Sequence, residues 1–567
     1  MRDILTRAVD AAHYDALVKD NIDPRLAKLY AARGVSSIYG LNTKLDALLP
    51  PQLLLHIDTA AAYLADAIQA KKRLLIVADY DADGATACAL GLRALTQMGA
   101  IVDFLVPDRF KLGYGLTPGV VDLAANHYAG KPDVIITVDN GIASVEGVAA
   151  ANRQLIDVVV TDHHLPGATL PDAAVIVNPN QPHDTFPSKS LAGVGVMFYM
   201  MLALRTTLRV RQYFQGKDEP NLADLLDLVA LGTVADVVKL EHNNRILVEQ
   251  GLRRIRAGRC SAGISALLKV GGRQQALVTT YDLGFVIGPR INAAGRLDDM
   301  SVGIACLTTN DASMAETLAA KLDLLNRERR VIETEMKVDA LATIDALDLT
   351  ERYAVALYEP SWHQGVIGIL AGRIREKTNR PVIAFADDTS NPEMLKGSGR
   401  SIASLHMRDA LDLITKRHPD LIDKFGGHAM AAGLTIRRAD LVTFATAFEI
   451  IAREMLTPAD LLEQIETDGS VGQGELDFDF VRQLEAQVWG QGFVAPTYHA
   501  TFKVLAQNVV GEKHLKLRLG LGKETFEAIR FGSPESVSPT IDAVFRPSIN
   551  TFRQTSVVQL TLSHIAT

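Results

Sequence analysis

At 567 residues the chain is too long for a single hydrophobic core, and roughly three or four domains are expected. A hydrophobic fraction of 48% without a low-complexity tract excludes extensive disorder, and three scattered cysteines (Cys88, Cys260, Cys306) with no CxxC exclude a zinc ribbon or a disulfide framework. The net charge of −8 excludes global attraction to a polyanion, so any nucleic acid must be held by a local basic patch or by metal. No apolar run approaches the roughly 18–20 residues that span a bilayer, and MRDILTRAVDAAHYD holds no signal-peptide apolar region, so the expected location is cytoplasmic, away from membranes.

Taken in chain order, residues 1–50 combine helical periodicity with the turn-rich RGVSSIYGLNTK and offer no chemistry. HIDTAAAYLADAIQAKKR (56–73) predicts an amphipathic helix, and Leu74–Val77 a buried strand that ends in Asp79, Asp81, Asp83 and Gly84. A helix over 85–99, strands over 101–107, 132–141, 157–164 and 173–180, and a helix over 145–154 continue the alternation, which indicates a parallel, doubly wound sheet. Residues 185–305 complete the first domain and carry GPRINAAGRL; residues 311–347 have no Gly or Pro and predict one long connecting helix, or two nearly continuous ones. A second α/β unit follows, with strands at 352–360 and 381–386, a helix over 362–374, and GSGRSIASLHMRDAL (397–411) as a loop entering a helix. From about 457 onward, short alternating segments suggest a small β-barrel. Lys513, His514, Lys516 and Arg518 concentrate charge on one hairpin, which suits either single-strand binding or a barrel that only buttresses the rest. The expected boundaries are 1–50, 51–305, 306–348, 349–456 and 457–567.

The polar residues carry the chemistry. Asp79, Asp81 and Asp83 follow one strand, Asp108 and Arg109 another, Asp139 and Asn140 a third, and Asp162, His163 and His164 a fourth. A parallel sheet delivers all of these to one edge, where open α/β sheets bind ligands. Three acids within five residues need solvation, protonation or a cation; the alternative for the first turn is an acidic cap on the next helix. Carboxylates mixed with imidazole suit Mn²⁺ or Mg²⁺, and this many donors suit two ions about 3.5–4 Å apart, which points to phosphate-ester hydrolysis. Asp236 follows the apolar run LLDLVALGTVADVV and is either a further ligand or a surface residue past a helix end, whereas His13, His127 and His183 are read as ordinary histidines.

DYDADG (79–84), VDNG (138–141), DHH (162–164) and GTVADVV (232–238) resemble, in order, the four motifs of the DHH phosphoesterases. VPDRFKLGYGL (106–116), GPRINAAGRL (288–297), SGRS (398–401) and GGHAMAAG (426–433) extend the resemblance over nearly the whole chain, to the bacterial single-strand-specific 5′→3′ DNA exonucleases within that superfamily. The resemblance implies a catalytic DHH domain, a connecting helix, a DHH-associated substrate-binding α/β domain and an OB-like barrel. It implies that Asp81, Asp83, Asp139, His163 and Asp236 ligate two Mn²⁺ or Mg²⁺ ions, with Asp79 as a further ligand. His164 would face the scissile phosphate, and Asp162 would orient the imidazoles.

For substrate, the resemblance implicates Tyr114, Gly427 and His428, and places Arg109, Arg400 and Ser401 at a terminal 5′-phosphate pocket. Arg290 and Arg296 suit phosphate through their planar forks, or else brace the domain through salt bridges. The implied activity is removal of 5′-mononucleotides from single-stranded DNA in repair and recombination, with a helicase and a single-strand-binding protein as partners. The alternatives are a phosphodiesterase acting on short oligonucleotides or cyclic dinucleotides, and a non-catalytic single-strand-binding scaffold. One departure from the family pattern is WGQGFVAPTYHA (489–500), which lacks the usual acidic, Pro-rich stretch and loosens the expected contact between barrel and core.

Overall fold

The computed structural model describes residues 3–345, 349, 351–552 and 555–566, with the side chains of Asp3, Arg109, Phe110, Phe552 and Ala566 left aside. After a short first strand, β1 (Asp3–Thr6), come the strands of a five-stranded parallel sheet: β2 (Arg73–Ala78), β3 (Ile101–Leu105), β4 (Val134–Val138), β5 (Asp157–Thr161) and β6 (Val175–Val177). Their order is β3-β2-β4-β5-β6. Alternate residues feed two apolar layers. Leu75, Val77, Ile135, Val158 and Val160 face one, and Leu74, Ile76, Val134, Ile136 and Val159 the other. A strand buried on both faces has no polar face, which is why these segments read as continuous apolar runs.

Helix Gly193–Val210, with 18 residues and a mean hydropathy of 1.2, is by length and composition long and apolar enough to cross a membrane. The fold instead buries 67% of it, packing it on helices Ile57–Gln69 and Ala82–Gln97. Arg205, Thr206 and Thr207 interrupt its apolar run, so it is inconspicuous in the sequence.

The predicted connecting helix is a single element, Ala312–Asp345, of 34 residues. At about 1.5 Å per residue it spans roughly 50 Å. Ala315, Ala319 and Leu322 belong to the first core, whereas Met336, Ala340 and Ile344 belong to the core of the second unit. That unit contains β7 (Val355–Tyr358), β8 (Val382–Asp388), β9 (Asn391–Arg400), β10 (Lys424–Gly427) and β11 (Ala431–Arg437), in the order β10-β11-β9-β8-β7. Only β7 and β8 are parallel; the rest are antiparallel. Residues 397–400, expected in a loop, lie in β9, because Gly397 leaves room for Phe385 and Leu434 to pack against the strand backbone.

Past β12 (Gln464–Thr467), the strands β13 (Tyr498–Val510), β14 (His514–Leu521), β15 (Glu524–Arg530), β16 (Thr540–Phe552) and β17 (Thr555–Ala566) close a barrel in the order β13-β14-β15-β17-β16. Its interior residues Phe502, Leu517 and Phe545 are continuous with the core of the first unit. The looseness expected at WGQGF is absent. Trp489 and Phe493 stack with Tyr30, the Arg245 guanidinium lies 3.9 Å from the Phe493 ring, and β12 pairs in parallel with β1.

Beside that stack, Arg33 donates to both oxygens of Asp468 at 2.8 and 2.9 Å, each side chain only 2% exposed. Breaking one partner of a buried pair costs about 3–5 kcal/mol, because the other charge stays buried. Asp468→Ala is therefore expected to lower the thermal unfolding midpoint by several degrees. An unchanged midpoint would show that the two ends of the chain are not joined through this pair.

Candidate metal centre

The centre is built from the carboxyl edge of the parallel sheet. Past β2, Asp81 is the N-cap of helix Ala82–Gln97, its Oδ1 accepting from the Asp83 and Gly84 amides at 2.9 and 3.1 Å, so the helix-cap reading of this turn holds for one of its oxygens. Asp83 lies in the first turn of that helix. Its oxygens accept the amides of Gly193 and Val194 at 2.6 and 2.9 Å, the positive end of a second helix. Gly193 is required there, since a Cβ would lie 2.7 Å from the Asp139 Cβ. Asp139 follows β4 at φ 61°, a left-handed conformation that few non-glycine residues adopt and that turns its side chain across the sheet edge.

Asp162 follows β5 and is saturated by the chain itself. Oδ1 accepts from the His163 and His164 amides and lies 2.8 Å from His164 Nδ1, while Oδ2 accepts from the Ile142 amide. Its expected orienting role fits this geometry for His164. Two residues that sequence reasoning missed complete the support, Asn180 donating to the His163 carbonyl and Asn178 to the His164 carbonyl. The NPN following β6 is the only sequence signal for them. A third, Asn292 of the GPRINAAGRL helix, accepts the Ala82 amide at 2.7 Å and so braces the first acidic turn.

Asp236 caps the C-terminus of helix Leu226–Ala235, where the helix dipole disfavours a carboxylate. Val237 then turns at φ 62°, an outlier for a β-branched residue, and Leu240 donates to the Gln491 carbonyl at 2.7 Å. The WGQGF turn thus braces the loop that presents Asp236.

These elements converge on His163 Nε2, which lies 3.1 Å from Asp139 Oδ1, 3.5 Å from Asp236 Oδ2 and 4.0 Å from Asp83 Oδ2. Asp139 Oδ1, Asp236 Oδ2 and His163 Nε2 are all buried, and none has a hydrogen-bond partner among the described residues. Burial first, and the neighbouring carboxylates second, push Asp83, Asp139 and Asp236 above the usual carboxylate range. Burial, with the charge on His164, lowers His163 to about 4, so its imidazole is neutral and keeps a lone pair. Buried oxygens that repel one another around an unpartnered ring nitrogen fit a hard divalent cation. Three donor sets have ligand atoms within 4.8 Å of one another: Asp83, His163 and Asp236; Asp139, His163 and His164; and Asp79, Asp81 and Asp139. Asp139 and His163 each belong to two sets, which suits a pair of ions; His13, His127 and His183 belong to none.

Around the cluster, the Tyr114 hydroxyl donates to the Asp139 carbonyl and lies 3.3 Å from the His164 ring. Burial lowers His164, but the hydrogen bond to Asp162 and the surrounding carboxylates outweigh it and raise the group to about 9. From the second unit, His428 stacks on His164 with ring centroids 6.1 Å apart. Its neighbour Gly427 sits at φ 147°, where a side chain would strike the Ala431 carbonyl. Arg296 joins the two units by donating to the Gly365 carbonyl at 3.0 Å. The Arg400 fork lies beside Ser398 Oγ at 3.2 Å and close to Gly368, in the first turn of helix Ile367–Thr378.

Other sequence candidates lie elsewhere. Arg290 is buried in an ion pair with Asp323 at 2.9 Å and donates to the Val286 carbonyl, the bracing alternative rather than a phosphate contact. The Ser401 hydroxyl is fully buried and donates to the Leu405 carbonyl, leaving Ser398 as the accessible serine beside Arg400. Arg109 begins a short helix, Arg109–Leu112, and its side chain lies outside the described residues.

Comparison with known proteins places these features in context. The chain matches the DHH family N-terminal domain over residues 73–233, the DHHA1 domain over 350–453 and the RecJ OB domain over 467–564. It is 49% identical to the single-stranded-DNA-specific exonuclease RecJ of Dickeya dadantii, over 96% of both chains, and 46% identical to that of Escherichia coli at the same coverage. Among solved structures, RecJ of Thermus thermophilus in complex with Mn²⁺ superimposes with a TM-score of 0.82 at 28% identity, covering 100% of this chain and 79% of that one. The same protein in complex with Mg²⁺ gives a TM-score of 0.76.

Asparagine tolerates the left-handed backbone at position 139 but removes one mutually repelling charge. In chelator, Asp139→Asn is expected to unfold at or above the temperature of the wild type. Saturating Mn²⁺ should stabilise the wild type by about 2.7 kcal/mol at one hundred times its dissociation constant, and the variant far less. An equal response of both proteins to Mn²⁺ would remove Asp139 from the metal site.

Proposed function

Because this chain belongs to the RecJ family of single-stranded-DNA-specific exonucleases, we propose that it hydrolyses single-stranded DNA from the 5′ end and releases 5′-mononucleotides. It is a metal-dependent hydrolase of phosphodiester bonds. The observation that carries the chemistry is the convergence of three buried, unpartnered donor atoms from Asp139, His163 and Asp236. Two Mn²⁺ or Mg²⁺ ions held there would supply Lewis acidity toward the phosphoryl oxygens and make a bound water more acidic.

The chain's own residues do the rest. Asp79, Asp81, Asp83, Asp139, Asp236 and His163 hold the cations. Water adds to phosphorus, the bond from phosphorus to the 3′ oxygen breaks, and the proton ends on that oxygen. His164, which Asp162 and the surrounding carboxylates raise to about 9, has one ring nitrogen held by Asp162 and offers its other ring nitrogen to the phosphate. Tyr114 and His428 flank it, one from each α/β unit, and narrow the approach. Arg400, Ser398 and the first turn of helix Ile367–Thr378 form a cationic corner suited to a terminal 5′-phosphate, with Arg109 as a further contact.

In this reading residues 51–305 are the catalytic unit, 306–348 the connecting helix, 349–456 the substrate-binding unit and 457–567 the OB-type unit. The gap between the two α/β units selects single strands. The proposal extends to a cytoplasmic site of action in repair and recombination, with a helicase and a single-strand-binding protein supplying the substrate.

The test is degradation of single-stranded DNA carrying a labelled 5′-phosphate beside its duplex and a dinucleotide, with Mn²⁺, with Mg²⁺ and in chelator. Mononucleotides should appear from the single strand, vanish in chelator, and form roughly 100-fold or more slowly with Asp139→Asn. Equal digestion of the duplex would overturn the selectivity, and cleavage of the dinucleotide alone would overturn the long-strand reading.

A further inference from the structure

Tyr281 and Phe285 place two aromatic rings in solvent, 51% and 66% exposed, stacked at 5.0 Å between centroids and 27° between planes. They sit on a short helical turn (Thr280–Asp282) running into the π-helical segment Leu283–Ile287, a wide turn that recurs at functional sites. The opposite face of this segment is core, with Leu283 and Ile287 fully buried.

The segment packs on the helix that carries Asp236. A Cβ on Gly284 would lie 3.2 Å from Val234, and one on Gly288 3.2 Å from Ala235, the last two residues before that aspartate. The segment that carries the exposed rings is therefore anchored on the helix that ends at Asp236. Thr280 also donates to the Trp489 carbonyl at 2.7 Å, so they stand at the seam between the catalytic unit and the C-terminal unit.

One guanidinium group borders the rings: Arg273 lies 5.9 Å from the Tyr281 ring, its Nε 3.1 Å from Asp282. In a protein of net charge −8, exposed stacked rings beside a guanidinium group fit a ligand that has both flat faces and phosphates. We propose that Tyr281 and Phe285 form a stacking platform for unpaired bases of the single strand, at the seam leading from the metal centre to the barrel. This inference rests on the exonuclease reading above and adds a contact to the bases, whereas the groups named there hold phosphate.

The test uses the full-length protein in chelator, with oligo(dT) carrying 2-aminopurine at each position in turn. Stacking on the rings should quench the fluorophore at a limited set of positions in the wild type. Tyr281→Phe should keep the quench. Both Tyr281→Ala/Phe285→Ala and Tyr281→Leu/Phe285→Leu, the latter preserving the apolar contact without a ring, should lose it and bind oligo(dT) roughly 5- to 100-fold more weakly. No quenched position in a wild type that binds oligo(dT) in chelator and degrades it once Mn²⁺ is restored, or wild-type affinity in the leucine pair, would overturn the platform alone. A wild type that neither binds oligo(dT) in chelator nor degrades it with Mn²⁺ would overturn the exonuclease reading as well.

Discussion

Buried carboxylates cannot be crowded around a neutral imidazole without something to offset their charge. That constraint organises the first unit of this protein. Asp83, Asp139 and Asp236 are held where burial and mutual repulsion both disfavour ionisation, and the oxygens that Asp139 and Asp236 turn toward His163 have no hydrogen-bond partner among the described residues. A fold keeps such an arrangement only when the surrounding structure over-determines it. Here the determinants are specific: the helix N-terminus at Gly193 on Asp83, the left-handed backbone at Asp139, and the turn at Val237 behind Asp236.

The contrast between Asp162 and Asp139 shows how environment assigns roles to one residue type. Asp162 is as buried as Asp139, yet it accepts three backbone amides and an imidazole N–H, and it is held below the usual carboxylate range. It is a satisfied anion that orients His164. Asp139 has one oxygen without a partner and is suited to metal. Neighbouring histidines diverge in the same way, His163 lowered to about 4 by burial and His164 raised to about 9 by Asp162 and the carboxylates around it, which leaves one as a lone-pair donor and holds the other against Asp162.

Distant parts of the chain reach this centre through short contacts. The second α/β unit approaches through His428 and through the Gly365 carbonyl held by Arg296. The C-terminal unit approaches through WGQGF, whose Gln491 carbonyl holds the Leu240 amide four residues beyond Asp236. Since the barrel interior is continuous with the first core, its buttressing role is physical, and the exposed Tyr281 and Phe285 lie on the same seam. Supporting the site and contacting the strand are compatible tasks for one interface.

Much of this was legible in the sequence because strand ends are local. An apolar run followed by Asp marks the carboxyl edge of a parallel sheet, and three such runs, ending at Asp79 to Asp83, at Asp139 and at Asp162 to His164, brought the acids and histidines of one site together before any contact was known. Gly-free and Pro-free composition likewise marked the long helix between the two units. What the sequence could not disclose depends on partners remote in the chain. Arg290 and Arg296 stand in one motif, yet Asp323 draws the first into an internal ion pair while Gly365 lets the second join two units. Ser398 and Ser401 stand in one SGRS, but strand alternation and the Leu405 carbonyl decide which hydroxyl remains accessible. The antiparallel course of residues 391–400, the burial of an apolar 18-residue helix and the bracing of Asp236 by Gln491 were decided the same way. Composition and periodicity determine which residues seek burial and which carry charge. Only the tertiary structure supplies the particular neighbour that satisfies each polar group or leaves it open to a ligand.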